Sequence, residues 1–325
     1  MGGDHGLSVV VPAALRALTM HSDLMLVLVG DEQQILAQLE ECSAKPSKRL
    51  MIHHASEQVE MNESPAIALR KKKDSSMRVA INLVKDGTVD AAVSAGNTGA
   101  LMATARFVLK MLPGVDRPAI CSIIPKSNGH THILDLGANV DCKAEHLYQF
   151  AIMGSILAES IDGGEPRVGL LNVGAEEIKG NEQVKSSDVL LKAAKELNYI
   201  GYVEGDDIFH GEVDVIVCDG FVGNITLKTI EGLARMFSHE LKASFKATLL
   251  TKLAAVVSYP VLKAFGDRFD PRRYNGASFL GVQGTVIKSH GGMDSVGYAH
   301  AISLARSEAI ADVPETIKKK LQALL

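Results

Sequence analysis

The sequence predicts an α/β protein with a mostly parallel sheet, flanking helices and a projecting helical hairpin. Three observations predict it. Apolar, β-branched runs of strand length alternate with segments of helical periodicity, the pattern of βαβ units. Four of those runs end in Gly/Asn-rich loops that open directly into helices, at residues 89–107, 133–142, 168–182 and 213–228. From Ile225 the alternation stops, and apolar residues recur at helical spacing through Phe265.

In chain order, LMLVLVG (residues 24–30) reads as a strand feeding a helix from Asp31, and AAVSAG as a strand feeding a helix from Thr98. AICSIIP (119–125) and ILDLG follow as strands, with a helix from Cys142, then VGLLNVG and VDVIVCDG, the last leading into a long helix. Right-handed crossovers join such units, and ligands gather at the carboxyl ends of the strands. All four glycine-rich loops are therefore expected to meet in one cleft. Residues 225–266 form the hairpin, two helices joined near 247–250. Its apolar stripe suits a dimer contact. Its tip, with Leu249, Leu250 and Leu253 beside Lys246 and Lys252, suits shallow insertion at an anionic membrane surface. Residues 1–325 are read as a single α/β catalytic unit that includes this hairpin.

Composition excludes several classes. Hydrophobic residues make up 46% and charged residues 22% of 325, as in an ordinary globular protein. Cys42, Cys121, Cys142 and Cys218 are widely spaced, so neither a zinc motif nor a disulfide framework is expected, and a reducing cytosol is. No basic-then-apolar leader opens the sequence, and the longest uncharged apolar run, 253–262, is well short of the ~20 residues of a spanning helix. The net charge of −4 speaks against a general nucleic-acid binder. Residues 240–273 nevertheless carry seven basic side chains against three acidic ones, and Arg70, Lys71, Lys72 and Lys73 form a second basic cluster. Each is either a solvated face or a dock for an acidic partner or anionic lipid.

The chemistry is narrowed first by what is missing. There is no G-x-G-x-x-G after a strand, no P-loop, no G-x-S-x-G elbow and no H-E-x-x-H. The strand-end residues remain. In SAGNTGA, Gly96 and Gly99 permit close backbone approach, and Asn97 and Thr98 either cap the helix or donate to phosphate. In DLGANVD, Asp135 and Asp141 are too far apart to chelate one metal locally, and Asn139 either offers an amide to substrate or builds the turn. In NVGAEEIKGNEQVK, Asn172 and Gly174 end a strand, while Lys179 and Lys185 bring cationic charge to the same end. In CDGFVGNITLK, Asp219 closes a strand, and Gly223 and Asn224 open the long helix. YNGASFLGVQGTVIKSHGGMDS reads as a glycine-rich segment around Asn275, Lys288 and His290, and MGGDHG as a strand-end loop with Asp4 and His5.

Taken together, MGGDHG, LRKKKDSSM, VSAGNTGALMA, LDLGANVDC, LLNVGAEEIKGNE, CDGFVGNITLKTIEG, YNGASFLGV and IKSHGG resemble the bacterial phosphate acyltransferase family of phospholipid synthesis, over essentially the whole chain. The resemblance implies an isocitrate/isopropylmalate dehydrogenase-like fold, also that of phosphate acetyltransferase. It implies an enzyme that makes acyl phosphate from fatty acyl-[acyl carrier protein] and inorganic phosphate, with no cofactor and no metal. It also implies a cytosolic homodimer, peripherally membrane-associated, whose product passes to a membrane glycerol-3-phosphate acyltransferase. A short strand is expected before MGGD, where this sequence begins at the turn.

On that basis Asn97, Thr98 and Gly99 with the Asn224 helix start would hold phosphate and the thioester oxygen. Lys179 and Lys185 would supply charge, and His5 or His290 would move a proton. Arg70 to Lys73, Arg272 and Arg273 would meet the carrier protein. Two competing readings are an NAD-dependent decarboxylating dehydrogenase of the same fold, whose metal-chelating Asp set and hydroxy-acid Arg cluster are not found, and a non-catalytic carrier-protein scaffold.

Overall fold

A computed structural model describes residues 1–324, so Leu325 lies outside the described residues. The N-terminal part comprises α1 (Leu7–Met20), β1 (Leu26–Gly30), α2 (Glu32–Glu41) and β2 (Leu50–His54), with β1 and β2 paired in parallel. Next come α3 (Pro65–Lys71), α4 (Ser76–Lys85), β3 (Ala91–Ser94) and α5 (Thr98–Leu109). The middle of the chain runs β4 (Ala119–Pro125), β5 (His130–Leu134), α6 (Ala144–Asp162), β6 (Arg167–Leu171), α7 (Glu182–Ala193), β7 (Asn198–Val203), α8 (Asp207–His210) and β8 (Val215–Val217). Then follow α9 (Gly220–Lys246), α10 (Leu249–Val257), α11 (Tyr259–Arg268), β9 (Ala277–Leu280), β10 (Thr285–Lys288), α12 (Ser295–Ile310) and α13 (Val313–Leu324). This is the expected α/β architecture with flanking helices.

Polar residues in the loops after strands double as helix caps, and after β1, β3 and β8 they do so within three residues of the strand end. Asp31, Asn97, Asn181 and Asp219 each accept a backbone N–H from the first turn of α2, α5, α7 and α9. Strand alternation then splits the core in two. Leu134 of β5 packs with Leu147 and Phe150 of α6 on one face, and its neighbour Ile133 packs with Ile81, Leu101 and Ile216 on the other, where α4, α5 and the base of α9 lie.

The main sheet has the order β3-β10-β9-β4-β5-β8-β6-β7. The β3–β10, β5–β8, β8–β6 and β6–β7 pairs are parallel, whereas β10–β9, β9–β4 and β4–β5 are antiparallel. The antiparallel block makes β3 and β10 point one way and β5, β8, β6 and β7 the other. The expected convergence of all four loops at one edge is therefore corrected: within the chain they leave in two groups, in opposite directions. Segment 274–295, read from sequence as a glycine-rich loop, contributes β9 and β10 to the centre of this arrangement.

The projecting hairpin is also more broken than expected. Its return limb divides at Ser258, where Pro260 lies in the first turn of α11 and cannot continue α10. The two limb segments diverge by 67°, and no single helix among the described residues is long and apolar enough to cross a membrane.

Between β1 and β3, which face each other without pairing, lies a cavity of about 490 Å³ walled by Leu26, Leu28, Met77, Val93 and Ile302. The Met1 amine donates to the Val29 carbonyl at its rim (3.1 Å), and burial pulls that amine's pKa down to about 6.

Candidate active site

The first group of loops assembles around β3 and β10. Asp4 N–H donates to Gly291 O (3.0 Å), Ser289 N–H to Ser94 O (2.9 Å), and a Cβ on Gly3 would sit 2.8 Å from that of Ala95, so the MGGD, SAGN and SHGG segments touch. Asn275, just before β9, ties this knot: its amide donates to Ser289 Oγ and Gly297 O (2.9 Å each) and its oxygen accepts from His290 N–H (3.0 Å).

Asn97 is fully engaged within the protein. Its oxygen caps Ala100 N–H (2.9 Å) and its amide donates to Met61 O (2.7 Å) and Glu63 O (3.1 Å). What the helix start offers instead is the backbone N–H groups of Thr98 and Gly99, exposed and without an internal partner among the described residues. The side chain of His5 makes no internal hydrogen bond among the described residues, and His290 Nδ1 accepts only from Gly292 N–H (3.2 Å); both residues are exposed.

Beneath these loops lies Lys288, the last residue of β10 and only 8% exposed. Val286, two residues earlier, belongs to the core cluster on the α5 and α9 face, so Lys288 projects from that face too. Its ammonium donates to Ala95 O (3.3 Å) and Ser289 O. An ammonium has three N–H donors, so one remains. Desolvation pulls its pKa down to about 8, the Lys228 ammonium adds to that shift, and Asp4 opposes it. In the sequence Lys288 stands out only as one residue of a glycine-rich segment, since a lysine's burial has no sequence signal.

The second group assembles at the ends of β5, β8 and β6. Asp135 is wholly buried and accepts from Ile120 N–H (2.9 Å), Ala138 N–H (3.1 Å) and Asn139 N–H (2.7 Å), as well as the Asn139 amide (2.9 Å). Burial raises its pKa, against the pull of those hydrogen bonds. The Asn139 amide also donates to Pro118 O (2.7 Å). Of the two roles open to Asn139, the structure supports turn building: its amide is spent bracing the start of β4 and is not held out to a substrate. A Cβ on Gly223 would collide with the Asp135 carbonyl, so only glycine lets α9 dock this closely.

Asn224 follows, exposed beside Gly137, with Lys228 one turn further along α9. Asn172 donates to Gly174 O (3.0 Å) and shapes its own loop. Lys179 is half exposed and 3.9 Å from Glu176, and Lys185 is exposed on α7.

The pairing register measures the separation of the groups. Lys288 lies opposite Ala277, Ala277 opposite Ser122 and Ser122 opposite Ile133, so three strand spacings, ~14 Å, lie between β10 and β5. Both α5 and the base of α9 sit on the same sheet face, and the Lys228 charge reaches Lys288 across that gap. The site thus lies on one sheet face, flanked by two helices.

Of the basic residues expected to meet a carrier, Arg70, Lys71, Lys73 and Arg273 are exposed. Lys72 pairs with Glu63 (2.8 Å), and Arg272 with Asp270 (2.6 Å) and Asp294 (3.1 Å), just as Lys228 pairs with Glu231 (2.9 Å). Leu249, Leu250 and Leu253 are 84%, 80% and 63% exposed at the hairpin tip.

Residues 1–316 match the model of a family described as fatty acid synthesis protein. The chain is 59% identical over 322 residues to the phosphate acyltransferase of Methylococcus capsulatus, covering 99% of this chain and 95% of that protein. Among solved structures it is similar to a phosphotransacetylase from Streptococcus pyogenes (TM-score 0.65, 17% identity, 93% of this chain and 91% of that one). It is also similar to the EutD phosphotransacetylase from Staphylococcus aureus (TM-score 0.62, 16% identity, 92% and 90%).

Proposed function

The chain belongs to the phosphate acyltransferase family, enzymes that transfer acyl groups in fatty acid and phospholipid synthesis, and we propose that it converts fatty acyl-[acyl carrier protein] and inorganic phosphate into acyl phosphate. A phosphate oxygen attacks the thioester carbonyl, a C–O bond forms, and the resulting tetrahedral oxyanion collapses with loss of the C–S bond. The carrier's thiolate leaves and takes a proton. Phosphate is itself a nucleophile and a thiolate an adequate leaving group. The protein's task is thus positioning and oxyanion stabilisation, which agrees with the missing nucleophile elbow.

The observation that carries the site is the buried Lys288 ammonium, held where the MGGD, SAGN and SHGG segments meet, hydrogen-bonded to the carbonyl of Ala95 two residues before the α5 cap and retaining one further donor. There it would face phosphate together with the Thr98 and Gly99 amides, while Asn97 holds their geometry. Asn224, Lys228 and Lys179 would serve the thioester from the α9 side, with Lys185 adding charge at the mouth. His5 and His290, exposed on the phosphate side, are the candidates for returning a proton to the thiolate.

Arg70, Lys71, Lys73 and Arg273 fit an acidic carrier protein. The exposed leucines at the tip between α9 and α10 fit an anionic membrane surface, which would bring the product to a membrane glycerol-3-phosphate acyltransferase. A cytoplasmic, peripherally bound homodimer is consistent with this arrangement.

The test mixes purified protein, acyl carrier protein thioester and phosphate, and traps acyl phosphate with hydroxylamine. Phosphate-dependent hydroxamate is expected. Carrier binding without hydroxamate would leave only the scaffold reading.

A further inference from the structure

At the start of β5, on the sheet face that packs against α6, two histidines converge on one carboxylate. His130 and His132 stand two residues apart, so both project from the same side of the strand. Their Nε2 atoms lie 2.9 and 2.7 Å from Asp162 Oδ2, and the three ligand atoms all lie within 4.8 Å of one another. Asp162 is the last residue of α6. A carboxylate at a helix C-terminus opposes the helix dipole, so it needs positive charge brought to it. His132 is 3% exposed at its side chain, while His130 and Asp162 are open to solvent at 28% and 36%, which gives an ion both a dry wall and an entry path.

We propose that His130, His132 and Asp162 form a binding site for a divalent transition-metal ion, with Zn²⁺ the best match. Two imidazoles and one carboxylate, with water in the fourth position, are a frequent zinc donor set. Ligand atoms around a tetrahedral zinc sit about 3.3 Å apart, given metal–ligand distances of about 2.0–2.1 Å. Each imidazole nitrogen therefore needs to part from Asp162 Oδ2 by only about half an ångström from its hydrogen-bonded spacing, and the two nitrogens lie within 4.8 Å of each other. With Nε2 on the metal, Nδ1 of His132 carries the proton and faces Cys121 Sγ at 4.0 Å. Cys121 Sγ lies on the Nδ1 side of the His132 ring, away from the Nε2 that faces Asp162, so it lines the site without becoming a ligand.

The site is separate from the candidate active site, which lies on the opposite sheet face. An ion here would pin the end of α6 to the start of β5. It is a structural clip, and the ligand spacing, His-x-His with an acid thirty residues on, matches no metal motif in the sequence.

Metal-stripped protein titrated with Zn²⁺ in a calorimeter should bind one equivalent per chain with micromolar or tighter affinity, and its Tm should rise with Zn²⁺. His130→Gln and Asp162→Asn, both at partly exposed positions, should each weaken that binding on the order of 10-fold or more and abolish the Tm rise. Substituted Co²⁺ should give the strong visible bands of a four-coordinate ion in the wild type only. His130→Gln should keep its acyl phosphate formation, which separates loss of the ion from loss of the fold. Absence of saturable binding, or wild-type affinity in both variants, would overturn the proposal.

Discussion

Burying a charge is costly unless something compensates it, so two buried ionisable groups, Lys288 and Glu308, make the sharpest predictions. Lys288 is the functional one. With a pKa lowered to about 8, its ammonium is present below that pH and is lost as pH rises through it. If that ammonium holds phosphate, the phosphate KM should climb above pH 8. Lys288→Met should raise it on the order of 10- to 100-fold at pH 7, the worth of a charged hydrogen bond of about 1.5–3 kcal/mol. The Tm of that variant should not fall, because a buried charge has been removed. A normal KM would exclude the role. Glu308 is the structural counterpart, 2% exposed and hydrogen-bonded by Ser278 Oγ, its pKa pushed from 4.5 up to about 7 by burial. The folded state therefore holds a proton that the unfolded state has released, and stability falls as pH rises from about 4.5 to 7, by roughly 3 kcal/mol. Glu308→Gln should flatten that slope and raise Tm at pH 8, while changing little at pH 4.5; a Tm at pH 8 equal to wild type would reject it. Asn97 is legible as a cap, but its amide is spent on Met61 and Glu63, 36 and 34 residues away, which only the fold brings beside it.

At the level of elements, the strands legible in sequence were those with a continuous apolar run, and AICSIIP matched β4 residue for residue. β9 and β10 were missed because each is four residues long and bracketed by glycines, a pattern that turns share. Strand direction was not legible in the apolar pattern. Apolar periodicity is the same for a strand run forwards or backwards, so the reversal that splits the loops into two groups is carried only by the Asn128-Gly129 turn between β4 and β5, where Lys126 N–H donates to Gly129 O (3.1 Å). The break at Ser258 could have been read from Pro260, two residues on. That break matters for the hairpin tip. Turning α11 away by 67° from α10 leaves Leu249, Leu250 and Leu253 at a short, isolated end. Such an end suits shallow insertion better than spanning. Leu250→Glu should remove the protein from floated anionic vesicles while leaving turnover of soluble substrates unchanged, and undiminished flotation would refute a membrane role for this tip.

For the molecule as a whole, α9 sets the unresolved balance of apolar surface. Its base packs Leu227 and Ile230 onto the core, but beyond that Leu233, Met236, Phe237 and Leu241 are 50%, 54%, 63% and 46% exposed along the shaft. A contiguous apolar stripe of this kind marks an association surface. A twofold pairing of two such shafts would bury it isologously, with each chain covering the other's stripe. The same pairing would set two hairpin tips side by side. Two shallow insertions on one particle bind a surface far more tightly than either alone, through effective concentration. The dimer and the membrane contact are therefore coupled proposals. Light scattering should give about twice the 34.7 kDa chain mass for the wild type. Phe237→Asp should give a particle of one chain mass with an unchanged circular dichroism spectrum, and its vesicle binding should weaken although its tip is intact. A dimer that survives this substitution would move the interface off the shaft, and a monomer that still floats like wild type would break the coupling.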